Sequence, residues 1–157
     1  MRFLGLFEFY IDHLHYQLAD LISLREISLL MNIQDFFVGS VYENLIINHH
    51  DVGHEQVYSM LKEVHLIEKI HSLPNGINEK IFMWDKVFDD IELVWLLIIR
   101  LKIIRPRLAV LNHILDSIDD EEIAEVVAHL TTIEHTTLLV VSNQSRLTKF
   151  FEQFSEL

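Results

Sequence analysis

No cysteine occurs in the sequence, so disulfides and thiolate metal sites are excluded and a reducing compartment is permitted. Glycine and proline are nearly as scarce, at four and two residues. That leaves few places where the chain is forced to turn and favours long regular elements. Positive charge is also in short supply: 12 Lys and Arg face 24 Asp and Glu, for a formal net charge of −12. Phosphate backbones need clustered cations, so this balance argues against a nucleic-acid partner and against an anionic membrane surface. No apolar run is long enough to span a bilayer. The best candidate, Ile91–Ile104, has about 14 residues where ~20 are needed, and Arg100 and Lys102 interrupt it. The N-terminal stretch carries Glu8 and Asp12 and reads poorly as a secretory signal. These absences lead to the expectation of a soluble, cytoplasmic protein.

What is present is enough for one domain with a real core. Half of the 157 residues are apolar and 23% are charged, which is far from the composition of a disordered chain. Phe7–Ile11 and Ile27–Ile33 read as strands, while Leu14–Glu26 is ambiguous, with Leu18, Leu21 and Ile22 at helical spacing. Val41–Ile47 looks like a short helix, and Asn48–His54 like a loop. Glu55–Ile70 predicts a longer helix, with Val57, Met60, Leu61, Val64, Ile67 and Ile70 on one face, closed by the turn signal Leu73-Pro74-Asn75-Gly76. Asn78–Lys86 reads as irregular.

The stretch from Phe88 to Asp119 organises the rest. Asp89 or Asp90 is placed to cap a helix that is apolar nearly all round, and Arg105-Pro106-Arg107 ends it. Leu108–Leu111 follows as a buried strand, and Asp119 or Asp120 starts a helix with Ile123, Val126, Val127 and Leu130 on one face. Thr137–Val141 is a second buried strand. Strand, helix and strand within about 35 residues is a βαβ unit, which joins parallel strands, so the class is α/β. Arg146–Leu157 predicts an amphipathic helix with Leu147, Phe150, Phe151 and Phe154 on its apolar side. That stripe is read as docking onto the chain's own core.

Six phrases, in order, carry a resemblance. They are Ser23-Leu24-Arg25 before a strand ending at Gln34-Asp35; Gly39-Ser40-Val41-Tyr42-Glu43-Asn44-Leu45; Ile70-His71-Ser72-Leu73-Pro74-Asn75-Gly76; Arg105-Pro106-Arg107-Leu108; Asp116-Ser117-Ile118-Asp119; and Val140-Val141-Ser142-Asn143. From about Phe7 to Arg146 the chain resembles the ATP-binding domain of ABC transporters of the exporter type. The resemblance implies a truncated P-loop NTPase-like (ABC ATPase-like) parallel sheet with an inserted helical subdomain. The helical subdomain would be about 41–100, the α/β core about 7–40 and 101–145, and the C-terminal helix 146–157, all in one domain.

The same resemblance shows what has changed. The family's phosphate loop, G-x-x-x-x-G-K-[ST], is absent; it would precede the strand that matches Phe7–Ile11. The Asp that helps hold magnesium falls on Asn112, the Glu that polarises water on His113, and the switch His on Asn143. The LSGGQ signature falls on Phe88-Asp89-Asp90-Ile91-Glu92, whose carboxylates repel a phosphate. Only Gln34 and Asp119 match as cofactor-binding relics. Asn112 and Asn143 are expected to cap strand ends, and the acids at 89, 90 and 92 to form a helix start.

The implied function is a degenerate ABC ATPase-like binding or regulatory module that does not hydrolyse ATP. No cofactor is expected. Its partner would be a transporter's membrane domain, which would hold it at the inner face of the membrane, or a second copy of the chain. The alternative is an ATP- and Mg-binding subunit or fragment whose phosphate loop lies outside this chain. Ten histidines raise the question of metal. His13/His15 and His50/His54 have pair spacing, but neither has an evident third ligand, and no metal site is expected. With no cradle helix or antiparallel subdomain to cover it, the parallel sheet is expected to leave an apolar face bare. The C-terminal helix or a partner would then cover it.

Overall fold

The computed structural model describes the backbone of Phe9–Ile11 and Leu14–Tyr16, and residues 28–151 throughout. Phe9–Ile11 (β1) and Leu14–Tyr16 (β2) pair antiparallel, Phe9 against Tyr16, so the first part of the segment left ambiguous by spacing is a strand. Phe7, Leu18, Leu21 and Ile22 lie outside the described residues.

A three-stranded parallel sheet forms from Ser28–Met31 (β3), Leu108–Asn112 (β6) and Thr137–Val141 (β7), in the order β3-β6-β7. The α/β class is therefore present, with the predicted strand-helix-strand unit at its centre. Between β3 and β6 the chain makes a two-stranded antiparallel ribbon and five helices. The ribbon pairs Gly39–Ser40 (β4) with Lys80–Ile81 (β5). The helices are Val41–Ile46 (α1), His54–Glu63 (α2), Ile67–Ser72 (α3), Trp84–Val87 (α4) and Asp90–Ile104 (α5). Asp120–Leu130 (α6) connects β6 to β7. No helix among the described residues is long and apolar enough to cross a membrane.

Local chemistry explains most element ends. Asp89 caps α5: its Oδ1 accepts the Glu92 N–H at 2.9 Å, and Glu92 Oε2 accepts the Asp89 N–H at 3.0 Å. Asp119 caps α6 in the same way, accepting the N–H groups of Glu121 at 3.0 Å and Glu122 at 2.9 Å. At the far end of α5, Arg105 turns the chain in the left-handed region, with φ 49°. Residues Leu93–Leu101 of α5 are all buried, as is Ile103. A fully buried Leu or Ile contributes about 1.5–3 kcal/mol, so this helix is the backbone of the core.

Four sequence expectations need correction. The single helix over Glu55–Ile70 is two, α2 and α3, because His65 adopts φ 59° and breaks the ladder. The apolar face continues across the break, which is why periodicity alone bridges it. The irregular Asn78–Lys86 holds β5 and α4. The C-terminal amphipathic helix is, within the described residues, a 3-10 segment over Ser145–Phe150 that buries Leu147; Phe154 lies outside them. Finally, Thr137–Val141 is not buried on both sides. Met31, Ala109 and Leu111 face the helices, whereas Leu30 and Leu139, 58% and 51% exposed, flank Val110 on the opposite face. No described residue packs over that row, so the C-terminal segment, as far as it is described, does not provide the cover expected of it.

Candidate functional site

The carboxyl ends of parallel strands are where an open α/β sheet presents polar groups to a ligand. Here the three ends bring together Asn32 and Gln34 from β3, Asn112 and His113 from β6, and Ser142 and Asn143 from β7. Four of the sequence candidates, Gln34, Asn112, His113 and Asn143, do follow neighbouring strand ends. Asp119 stands apart as the cap of α6.

Most of these side chains are occupied by the edge itself. Asn112 donates from Nδ2 to Asn32 Oδ1 at 2.7 Å, tying two strand ends together. Asn32 is in turn held by Asp35, whose Oδ2 accepts the Asn32 N–H at 2.7 Å. His113 leaves β6 with φ 57°, and its backbone N–H donates to the Val141 carbonyl at 2.9 Å. Its imidazole Nδ1 lies 2.8 Å from Asp116 Oδ2. Asp116 also accepts the Ser142 hydroxyl on Oδ1 and, more weakly, the Asn143 N–H at 3.4 Å. Partial burial pushes the Asp116 carboxyl up. The Ser142, His113 and Asn143 contacts outweigh burial and hold it below its ordinary value. Gln34 is exposed on the short 3-10 turn Ile33–Asp35.

The cations next to this edge are engaged as well. Arg146 donates to Asp120 at 2.7 Å and to the carbonyl of Ile118 at 2.6 Å, and Lys149 pairs with the same Asp120. Those two ion pairs hold the Asp120 carboxyl below its usual range.

Mg²⁺ with a nucleotide needs oxygen ligands of negative charge and a cradle of N–H donors with a Lys. The residues at this edge do not fit that group. Asn112 is neutral and bonded to Asn32. Of the carboxylates there, Asp116 already has three partners and Asp35 is held by Asn32, and the sequence contains no phosphate loop. The segment matching the family's signature has no phosphate-binding form either. Phe88 is buried, Asp89 and Glu92 cap α5, and Glu92 pairs with Lys69 at 3.1 Å.

The histidine pairs resolve differently from each other. His13 lies outside the described residues and His15 is on β2. The His54 ring stacks on Tyr42 at 4.1 Å, and its Nε2 lies 3.3 Å from Asn78 Oδ1, so it is not paired with His50. Among the described residues no cluster of three metal-ligating side chains occurs.

A second feature was not visible in the sequence. Beside the β3 exit, Phe37 and Val38 lead into β4 and Phe82 and Met83 follow β5 at the same end of the ribbon, and all four are between 46% and 67% exposed. The patch sits on a rigid support. Buried Asn44 accepts the Phe37 N–H on Oδ1 at 3.0 Å and donates from Nδ2 to the Phe37 carbonyl at 3.0 Å and the Ser40 carbonyl at 3.1 Å. Trp84 Nε1 donates to the same Phe37 carbonyl at 3.0 Å. Phe36 is stacked on Trp84 at 4.7 Å, with the Arg100 guanidinium 4.7 Å from its ring centroid. At Gly39 an added Cβ would lie 2.9 Å from the Phe37 ring, so a larger residue there would push that exposed ring aside. Arg100 is 3% exposed and donates from Nε to the Asn44 carbonyl at 2.8 Å; burial pushes it down to about 10, against the opposing pull of Asp35. The sequence signals were present but small: Arg100 breaks an apolar run, and Asn44 shares the buried face of α1 with Val41 and Leu45.

Comparison of the chain with known protein families and with curated proteins returned no match.

Proposed function

We propose that the chain is an ABC ATPase-like binding module that does not hydrolyse ATP and acts by docking to a protein partner. The resemblance of the six ordered phrases motivates the family, and a parallel β3-β6-β7 sheet with a helical stretch between its first two strands is compatible with it. The observation that carries the proposal is the closure of the sheet's carboxyl edge on itself. Asn112, His113 and Asn143, at the positions where the family has its magnesium, water-polarising and switch residues, bond to Asn32, Asp116 and one another's strands. A catalytic edge keeps such groups aimed outward; this one uses them as fasteners.

The docking surface is the supported patch of Phe37, Val38, Phe82 and Met83. Exposed aromatic side chains on a preorganised loop lose little entropy on binding, which suits a protein contact. The partner implied by the family is a transporter's membrane domain, with the chain itself outside the bilayer.

The test is titration of the full chain with a fluorescent ATP analogue and Mg²⁺, followed by phosphate release. Neither a saturable micromolar signal nor turnover is expected. Micromolar binding with phosphate release would overturn the proposal.

A further inference from the structure

At the opposite, amino-terminal edge of β6 and β7 there is a cleft of about 580 Å³. It opens between the second half of α2, the last turn of α5 and the loop before β7. Its volume lies within the ~300–1,000 Å³ of small-molecule sites. Met60 and Ile133, both half-buried, supply apolar wall, and the charged groups come from Glu63, Lys102, Arg105 and Glu134.

Those charges are not equivalent. Lys102, with a side chain only 18% exposed, is tied to Glu63 at 3.3 Å, so the two largely neutralise each other. Arg105 Nε donates to the Lys102 carbonyl at 3.1 Å, which fixes the plane of the guanidinium. Its two terminal nitrogens meet no acceptor among the described residues. The result is an oriented donor fork at the cleft, and a planar fork matches a carboxylate with two parallel hydrogen bonds.

Backbone conformation marks the same place. Arg105 has φ 49° and His135, across the cleft, has φ 62°. The position of Arg105, just past a helix end, normally belongs to Gly or Asn, because a Cβ in the left-handed region is disfavoured. A cation near a helix C-terminus is ordinary, since it meets the negative end of the dipole. That accounts for a positive charge here, but not for a left-handed Arg whose fork meets no acceptor among the described residues. Strained non-glycine residues cluster at binding sites, where the side chain's position is what the strain secures.

We propose that this cleft binds a small organic monocarboxylate, with the carboxylate on the Arg105 fork and the apolar body against Met60 and Ile133. Glu134 sets the charge of the ligand. With Glu134 beside the Arg105 fork, a second negative charge on the ligand is repelled, which disfavours a phosphate or polyphosphate. The site is separate from the carboxyl edge of the sheet and does not depend on the proposed pseudo-ATPase reading.

The probe is sodium hexanoate, titrated into the full-length chain by calorimetry or amide chemical shifts, with inorganic phosphate as comparator. Saturable millimolar binding of hexanoate is expected, with shifts confined to residues around Arg105 and Ile133. Arg105→Gln should weaken it by about tenfold, the loss of a charge-assisted hydrogen-bond pair. Glu134→Gln should tighten it. Because Arg105 is exposed, the variant's thermal melt serves as a check that it folds; Ile133→Ser, which removes the apolar wall while keeping the fork, is the second variant and should also weaken hexanoate. No saturable binding up to about 10 mM, unchanged affinity in both Arg105→Gln and Ile133→Ser, or phosphate binding as well as hexanoate would each overturn the proposal.

Discussion

Replacing Asn44 by Ala should release the loop that carries Phe37 and Val38. The Asn44 side chain is fully buried and makes three hydrogen bonds, to the N–H and carbonyl of Phe37 and to the carbonyl of Ser40. At about 1 kcal/mol net for each bond, the direct loss is about 3 kcal/mol. The stranded Phe37 N–H raises that figure; the Phe37 carbonyl limits it, because Trp84 Nε1 still donates there. Set against a total stability of about 5–15 kcal/mol, a change of about 3 kcal/mol is large. For a domain of this size it corresponds to about 6–12 °C in melting temperature. Urea titration with an unchanged m-value would separate a stability loss from a change in the unfolded ensemble. Ser40→Ala is the control: it removes a helix cap whose hydroxyl accepts the Glu43 N–H at 3.1 Å, and should cost about 1 kcal/mol. If Asn44→Ala lies within about 0.5 kcal/mol of the natural chain, the size of an ordinary surface change, the amide does not hold the loop and the support described for the patch is wrong.

Arg105→Gly removes the left-handed Cβ but also the Nε bond to the Lys102 carbonyl, so its melt should rise by the equivalent of about 0.5–1 kcal/mol while hexanoate binding disappears. A lower melt would show that Arg105 is not strained. Asp116 predicts an acid limb. Its folded carboxyl lies below the ordinary 3.8, so the unfolded chain binds the proton more readily; the contribution is complete above that value and is lost as pH falls through the depressed folded value. Ser142→Ala takes away one of the contacts that lower it, and acid unfolding should then begin at higher pH. Under the proposed reading, Asn112→Asp with His113→Glu puts carboxylates where the resembled family has its catalytic pair, yet should give no turnover and lower stability. The new Glu stands beside Asp116 where an imidazole stood, and two carboxylates near 4 Å repel by about 1–4 kcal/mol; measurable ATP hydrolysis would contradict the account of the edge.

The parts of this fold that were legible in the sequence are those decided within a few residues. Asp89 with Glu92, and Asp119 with Glu122, announce helix starts because both halves of the capping box lie three residues apart. The strand at Leu108 follows from an apolar run after Arg105-Pro106. What could not be read depends on distant partners. β5 is two residues long and exists because Gly39–Ser40 pairs with it, about 40 residues earlier. The break at His65 has neither Gly nor Pro to mark it, and the apolar spacing of Val64, Ile67 and Ile70 runs straight through. Thr137–Val141 looks equally apolar on both faces, and only the assembled sheet shows which of them lies open. The same division applies to the site. Its positions at strand ends were legible from topology, but the bonds that close it link residues 26 and 80 apart in sequence.

Helix α5 connects these separate features, and its charges show why. A helix of 15 residues is about 22 Å long and this one is buried along nearly all of it. A cation in such a place is costly unless its hydrogen bonds are met. Two interrupt the apolar run before the terminal Arg105, and each has a specific station. Arg100 donates from Nε to the Asn44 carbonyl and lies over Phe36, but its buried Nη2 has no hydrogen-bond partner among the described residues. Lys102 anchors the wall of the amino-edge cleft through Glu63, and its carbonyl orients Arg105. Asp89, Asp90 and Glu92 form the opposite end of the same helix. One capped helix thus supports the exposed Phe37 loop near its middle and lines a cleft at its end. The carboxylates of Asp89 and Glu92 that would repel a phosphate are the groups that cap it, so the same side chains disfavour an anion there and stabilise the helix that supports the Phe37 loop and lines the cleft.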